Sequence, residues 1–257
     1  MHIFLFVDII VVINETKVYK NVLYIKNINT LMEVKMGTKL IDRRIPEYTR
    51  GEEIFSMVLS IIGGALSVAV LVFCLIVSVM HKNVFAVVSS AIYGSSLIIM
   101  YCMSSLYHGL KKYIPKKVFQ ILTHCAVFMM TASTYMVILL GSIRQVNTAI
   151  AWTFFGIEWG IAVLAITFSS VDLEKNKILS IICYIVMSCA ILPIYKFAIA
   201  AMGLEGFILF VIGIILYIMA LVNYMFEKKV KYLHCFFHLM FLLGSAIQFI
   251  SIISYCI

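Results

Sequence analysis

The chain has 257 residues, of which 63% are hydrophobic and only 12% charged, with a mean hydropathy of +1.08. Soluble domains are about 45–50% apolar and about 25% charged, so the composition excludes a soluble enzyme and a disordered tail. With three Pro and 13 Gly it excludes collagen-like and low-complexity chains as well. The formal net charge of +8 would suggest nucleic acid in a soluble protein. In a polytopic membrane protein it marks basic loops gathered on one side of the bilayer, and no nucleic-acid partner is expected.

Residues 1–50 read as an N-terminal extension and juxtamembrane segment, and residues 51–257 as the membrane domain. The apolar run His2–Ile13 is too short to span and contains Asp8. It lacks the basic start and small-residue cleavage site of a secretory signal. It reads as a short surface strand or interfacial segment, or as an upstream extension of the reading frame, with the working chain starting at Met32 or Met36. From Glu33 to Glu53 the composition is charged, as a cytoplasmic lead-in should be.

A helix needs about 20 apolar residues to cross the hydrocarbon. Seven stretches qualify in chain order: Ile54–Met80, Val84–Leu106, Val118–Gly141, Thr148–Phe168, Ile178–Tyr195, Gly203–Phe226 and Leu233–Tyr255. The fifth is the shortest and carries Pro193 near its end. Short polar loops separate them, among them Lys111–Lys117, Arg144–Asn147, Lys196–Met202 and Glu227–Tyr232. The expectation is an all-α bundle of seven transmembrane helices in which sequential neighbours are antiparallel. Gly63, Gly64 and Ser67 in the first helix, with Ser89, Ser90, Gly94 and Ser95 in the second, would let two backbones approach closely. With the N-terminus inside, the cytoplasmic segments from Lys35 onward hold fourteen Lys and Arg, against Lys82, Arg144 and Lys196 outside. The positive-inside rule therefore predicts a cytoplasmic N-terminus and an external C-terminus. The seven Cys all lie in apolar stretches without a CxxC pair, which supports neither a disulfide framework nor a thiolate zinc site.

This orientation gathers the histidines. His108 ends the second helix, His124 starts the third, and His234 and His238 lie in the first turns of the seventh, all in one leaflet. His234 and His238 are four apart and stack on one helix face. An i, i+4 His pair suits a transition metal, and a third imidazole would leave the open position of a catalytic zinc site. His108 is the third candidate, with Ser104 one turn deeper. The plainer reading makes the pair interfacial side chains bonded to head groups or water. Polar residues inside a membrane are expensive, which favours a function. Glu158, mid-span in the fourth helix, is a functional candidate on the same ground; its simpler reading is a protonated acid hydrogen-bonded to a neighbouring helix. The aromatic residues Phe207, Phe210, Tyr217, Phe236, Phe237 and Phe241 read as lipid-facing or packing side chains. Lys111–Lys117 reads as a head-group contact.

Several segments together resemble a known family. Tyr48-Thr49-Arg50-Gly51-Glu52-Glu53-Ile54 is similar to the start of the bacterial hemolysin III proteins of the progestin and adipoQ receptor (PAQR) family. Ser104-Ser105-Leu106-Tyr107-His108 resembles its Ser-x-x-x-His. Leu122-Thr123-His124-Cys125-Ala126 with Ala132-Ser133-Thr134-Tyr135 resembles its third helix, and Phe155-Gly156-Ile157-Glu158-Trp159-Gly160 its fourth. His234-x-x-x-His238-Leu239 with Gly244-Ser245-Ala246 resembles its last. The resemblance covers about residues 43–257. It implies a seven-helix fold with zinc near the cytoplasmic leaflet, held by His108, His234 and His238 with Ser104 beside them, in a multi-pass protein of the bacterial plasma membrane. It also implies a role in membrane-lipid homeostasis, as a zinc-dependent, ceramidase-like hydrolase of lipid amides or esters. Two other roles stay open: a cytolysin or pore-forming protein, and a non-enzymatic lipid or fluidity sensor with structural zinc. Membrane lipids are the expected partners, and the pattern specifies no oligomeric state. The chain departs from the family in three places: Thr123 stands where an Asp is usual, Ser60 aligns with a first-helix His, and Gln248 with a late His of the last helix. Thr cannot act as a base at neutral pH. Ser104 and His124 are then the catalytic candidates, with Glu52 and Glu53 as further substitutes for the missing base.

Overall fold

A computed structural model describes residue 46 and residues 48–257, apart from Glu174, Lys228 and Lys229. The readings made for residues 1–45 lie outside the described residues. From Pro46 to Ile257 the chain forms one compact unit, and all its regular elements among the described residues are helical.

The first helix, α1 (Arg50–Met80), starts at a capping box. The Thr49 side chain accepts from the Glu52 backbone N–H while the Glu52 carboxylate accepts from Thr49 N, satisfying two donors that a helix start leaves open. Its inward stripe is Glu52, Ser56, Ser60, Gly63, Ser67, Val70, Cys74 and Ser78, while Ile54, Phe55, Val58, Ile61, Ile62 and Leu66 face outward. Small and polar inside with bulky apolar outside is the reverse of a soluble helix. It is the pattern expected where the solvent is lipid and helices associate by close packing and hydrogen bonds. A turn with Lys82 in the left-handed region (φ 54°) leads to α2 (Val84–Gly109), capped by the Asn83 side chain.

The close approach of α1 and α2 is as the small residues predict. A Cβ added to Gly63 would collide with the Tyr101 ring, and one added to Gly94 would lie 2.7 Å from the Leu71 Cα. Ser78 and Ser90 bond at 3.1 Å. Ser95 faces outward instead, and its neighbour Ser96 turns inward to bond Ser133.

The third helix, α3 (Tyr113–Met136), runs on through a π-helical segment, Val137–Ile143, and a last α-turn, Arg144–Val146. Every residue from 130 to 143 is buried, so this helix fills the middle of the bundle. The expected loop Arg144–Asn147 is thus mostly helix. Asn147 caps α4 (Thr148–Val171). The next helix, α5 (Lys177–Ser188), has only 12 residues. It ends before a short 3₁₀ turn, Leu192–Ile194, with Pro193 at its start, where the missing N–H and the fixed ring oppose continued α-helix. The sixth, α6 (Tyr195–Phe226), is broken inside by Gly203 at φ 73° and ψ 168°, a conformation open to glycine at no steric cost. The expected loop Lys196–Met202 is therefore helical, and the helix is kinked at Gly203. The last, α7 (Leu233–Tyr255), begins after Tyr232 in the left-handed region.

Six stretches among the described residues are long and apolar enough to cross a membrane: Arg50–Met80, Val84–Gly109, Tyr113–Val146, Thr148–Val171, Lys177–Phe226 and Leu233–Tyr255. The fifth of these is 50 residues long and contains both interruptions, so the fifth and sixth spans expected from hydropathy both fall within it. The fold is thus an all-α, multi-pass membrane bundle. Tyr101 and Tyr217 both bond Ser245 Oγ, at 2.9 and 3.0 Å, tying α2, α6 and α7 together. The aromatic residues divide: Phe210, Tyr217 and Phe241 are core, while Phe236 is exposed.

Replacing Gly94 by Ala is expected to destabilise the protein by about 1–3 kcal/mol, because the Leu71 backbone must move. Gly160, where an added Cβ meets nothing within 4 Å, should tolerate Ala without loss. Thermal unfolding in detergent compares the two, and equal melting temperatures would remove the packing argument.

Candidate metal centre

The α1 start, the α2 end and the α7 start meet at one end of the bundle. His108 comes from the last turn of α2 and His234 and His238 from the first turns of α7. All three are buried. Their Nε2 atoms converge: His108 to His238 at 3.0 Å, His238 to His234 at 3.2 Å, and His234 to His108 at 3.3 Å. They form the histidine group among the described residues that could hold a metal ion.

The far side of each ring explains the arrangement. His108 Nδ1 lies 2.8 Å from Glu53 Oε2, and His234 Nδ1 lies 2.7 Å from Glu227 Oε2. A carboxylate only accepts, so each Nδ1 carries the proton and donates it. The Nε2 atoms of His108 and His234 then present lone pairs to each other with no hydrogen between them. Such a contact is repulsive until a cation sits among the three nitrogens. Ligands at about 2.0–2.1 Å from a tetrahedral zinc lie about 3.3 Å apart, close to the spacing found here. The donor set thus fits a divalent ion of the zinc type, with carboxylates orienting the imidazoles from behind as such sites require.

Further side chains fix these carboxylates and rings. Lys116 from α3 forms an ion pair with Glu53 Oε1. Tyr48 stacks on His234 with ring centroids 4.0 Å apart. Burial, and then the nearby Glu227 carboxylate, raise the Tyr48 hydroxyl above the usual tyrosine range, so it stays protonated. Glu52 is fully engaged: it accepts from Thr49 N and Oγ1 and, at 2.6 Å, from Tyr232 N. It therefore holds the strained residue that precedes α7 in place. Glu52 and Glu53, named as substitutes for a missing base, are both committed to holding the site together.

The triad opens onto a cavity of about 100 Å³ whose wall includes Ser104, Thr123, His124, Tyr184, Tyr217 and Phe241. Ser104 is bonded to Ser60 at 2.8 Å. Thr123 donates its hydroxyl back along the helix to Phe119 O. His124 stands on the cavity wall apart from the three converging rings, with Nε2 3.5 Å from the Tyr224 hydroxyl, a weak contact. Glu227 was not singled out from the sequence. Its signal would have been the need of His234 Nδ1 for an acceptor at that end of the bundle.

The family described as "Haemolysin-III related" matches residues 48–249. A protein named "Hemolysin-3 homolog" from Bacillus subtilis (strain 168) is 30% identical over 82% of this chain and 97% of its own. One named "Hemolysin-3" from Bacillus cereus is 31% identical over 79% of this chain and 91% of its own. No solved structure matches.

Replacing Glu227 by Gln, which removes the charge behind His234, is expected to weaken divalent-metal binding about 10–100-fold. Competition against a metal-sensing dye reads the affinity; a value equal to wild type would assign Glu227 a purely structural part.

Proposed function

The chain belongs to the haemolysin-III related family, and on that basis we propose that it is a zinc protein of membrane-lipid homeostasis that hydrolyses a lipid amide or ester. It is an integral multi-pass membrane protein. In the proposed arrangement it crosses a bacterial plasma membrane seven times with its N-terminus inside, α5 and α6 supplying two crossings around the Pro193 turn. The asymmetry of fourteen basic residues against three supports this orientation. The convergence of three buried Nε2 atoms backed by two carboxylates carries the zinc assignment.

His108, His234 and His238 would hold the ion, and Glu53 and Glu227 would fix their rings. Zinc in such a site supplies Lewis acidity toward a carbonyl and toward water. The chain does the rest. Aromatic and aliphatic walls of the cavity exclude bulk water and accommodate an acyl chain. Ser104, bonded to Ser60, offers a hydroxyl beside the triad. His124 Nε2 takes and returns a proton, in place of the carboxylate that Thr123 does not provide.

The names of the two Bacillus relatives favour a cytolysin, but the unbroken burial of residues 130–143 at the centre of the bundle favours a packed protein over a pore. A lipid or fluidity sensor with structural zinc is the second reading. It is favoured by the commitment of Glu52, Glu53 and Glu227 to holding the site rather than to proton transfer.

Metal content separates these readings first. Wild type purified without chelators should carry near-stoichiometric zinc by mass spectrometry, and the His234→Ala/His238→Ala double variant should carry none; metal-free wild type would end the proposal. Fatty-acid release from a ceramide and phospholipid panel should then depend on the metal and on His238. Stoichiometric zinc without turnover would decide for the sensor. Leakage of dye from liposomes at low protein density would decide for the cytolysin.

A further inference from the structure

The cavity at the triad has a smaller neighbour of about 10 Å³, lined in part by Tyr135, Thr134, Ser188, Ile214 and Gln248. On each helix that the two cavities share, the lining moves in one direction. It passes from Val127 to Thr134 on α3 and from Tyr184 to Ser188 at the end of α5. It passes from Leu221 to Ile214 on α6 and from Phe241 to Gln248 on α7. The helix α6 runs against α7, since Gly206 meets Tyr255 while Tyr217 meets Gly244. All four steps therefore lead away from the histidines, and the cavities are successive parts of one space between helices. Among the described residues, Tyr217 is the lining residue that they have in common.

Three contacts hold the Tyr217 ring across this space. Ser245 Oγ donates to Phe241 O at 2.9 Å. Its own proton is thus committed, and its two lone pairs accept from the Tyr101 and Tyr217 hydroxyls. The face of the ring lies on α7 where a Cβ added to Gly244 would stand 3.0 Å from Tyr217 Cδ1 and Cε1. Phe241 flanks it with ring centroids 4.9 Å apart. A ring held at its hydroxyl, face and edge does not swing aside, so it is a fixed partition.

The chemistry of the wall changes at this partition. On the histidine side it includes Val127, Ile181, Leu221 and Phe241, all apolar. On the far side Ser188 Oγ is buried without a hydrogen-bond partner, and Gln248 joins it on the wall. A methyl group there would leave that hydroxyl unsatisfied, which is costly. The bond to Ser245 sets Tyr217 seven residues past His238 on α7, about 10 Å along the helix axis.

We propose, on the lipid-hydrolase reading, that Tyr217 is the specificity-determining floor of the acyl pocket. A straight acyl chain whose carbonyl lies at the triad runs along the apolar wall and stops at this ring. Tyr217 thereby fixes the longest chain that fits.

Fatty-acid binding tests this without turnover. The full chain in detergent is incubated with an equimolar mixture of straight-chain saturated fatty acids of increasing length, and the retained acids are measured by mass spectrometry. In wild type, retention should rise with length and cease rising at a limiting chain. Tyr217→Ala should raise that limit by about three methylenes, because the neighbours close only part of the space left by the ring. Each methylene newly buried should tighten binding about fourfold. Should Tyr217→Ala fail to fold, Leu221→Phe adds bulk above the floor and should lower the limit. A wild type without a limit, or a limit unmoved by either variant, would overturn the proposal and leave the hydrolase reading standing. Zinc-loaded wild type that retains no fatty acid of any length would remove the acyl pocket, and both readings with it.

Discussion

Three imidazole nitrogens within 3.3 Å of one another, two of them stripped of protons by carboxylates on the far side of their rings, form the constraint around which this end of the bundle is organised. Left alone, the lone pairs repel and the helices that carry them should part. With a cation among them, the same contacts draw α2 and α7 together. The supporting residues divide the work of holding them there. Glu53 and Glu227 set the ring tautomers, Lys116 neutralises Glu53, and Tyr48 covers His234. Glu52 joins the start of α1 to the start of α7 through Tyr232 N. It holds Tyr232 in a left-handed conformation costing of order 1 kcal/mol, and that turn sets the rotation at which His234 enters the site.

The rest of the bundle follows from lipid as solvent. No hydrophobic gain comes from moving Leu or Ile from lipid into a helix interface, so the interfaces of α1 and α4 are lined mostly by small residues and depend on close contact. The inward hydroxyls mostly return to the carbonyl one turn back or pair across helices, as in Ser60–Ser104, Ser78–Ser90 and Ser169–Ser180. Glu158 stands out against this economy because its two oxygens have no such partner.

The convergence of the three histidines was legible because its signals are local or follow from topology. His234 and His238 share a face by spacing alone, and chain direction puts His108 at the same depth. Glu227 and Tyr48 were not legible as site residues, since their pairing with His234 depends on how a loop and a lead-in fold back over the bundle, and no periodicity encodes that. The rotation of a helix about its axis is equally hard to read when every face is apolar, which is why Ser95 and Ser96 exchanged places. Length alone misassigned Lys196–Met202: one Lys amid apolar residues resembles a loop, whereas the chain stays helical and is kinked at Gly203.

The irregularities are not spread evenly. The π-segment Val137–Ile143, the broken end of α5 with its 3₁₀ turn, and the Gly203 kink all lie in the half of the bundle away from the histidines. At the histidine end the helices are regular and are cross-braced by charged pairs. A metal site needs its ligands held to within about 0.5 Å, and ligands on rigid elements with a supporting shell achieve that. Irregular backbone yields to smaller forces, because fewer of its hydrogen bonds must break for it to move. Changes in the bilayer, such as its thickness or lateral pressure, should therefore be taken up at the far end first. The small cavity beside Tyr135 and the larger one at the triad share Tyr217 as a wall.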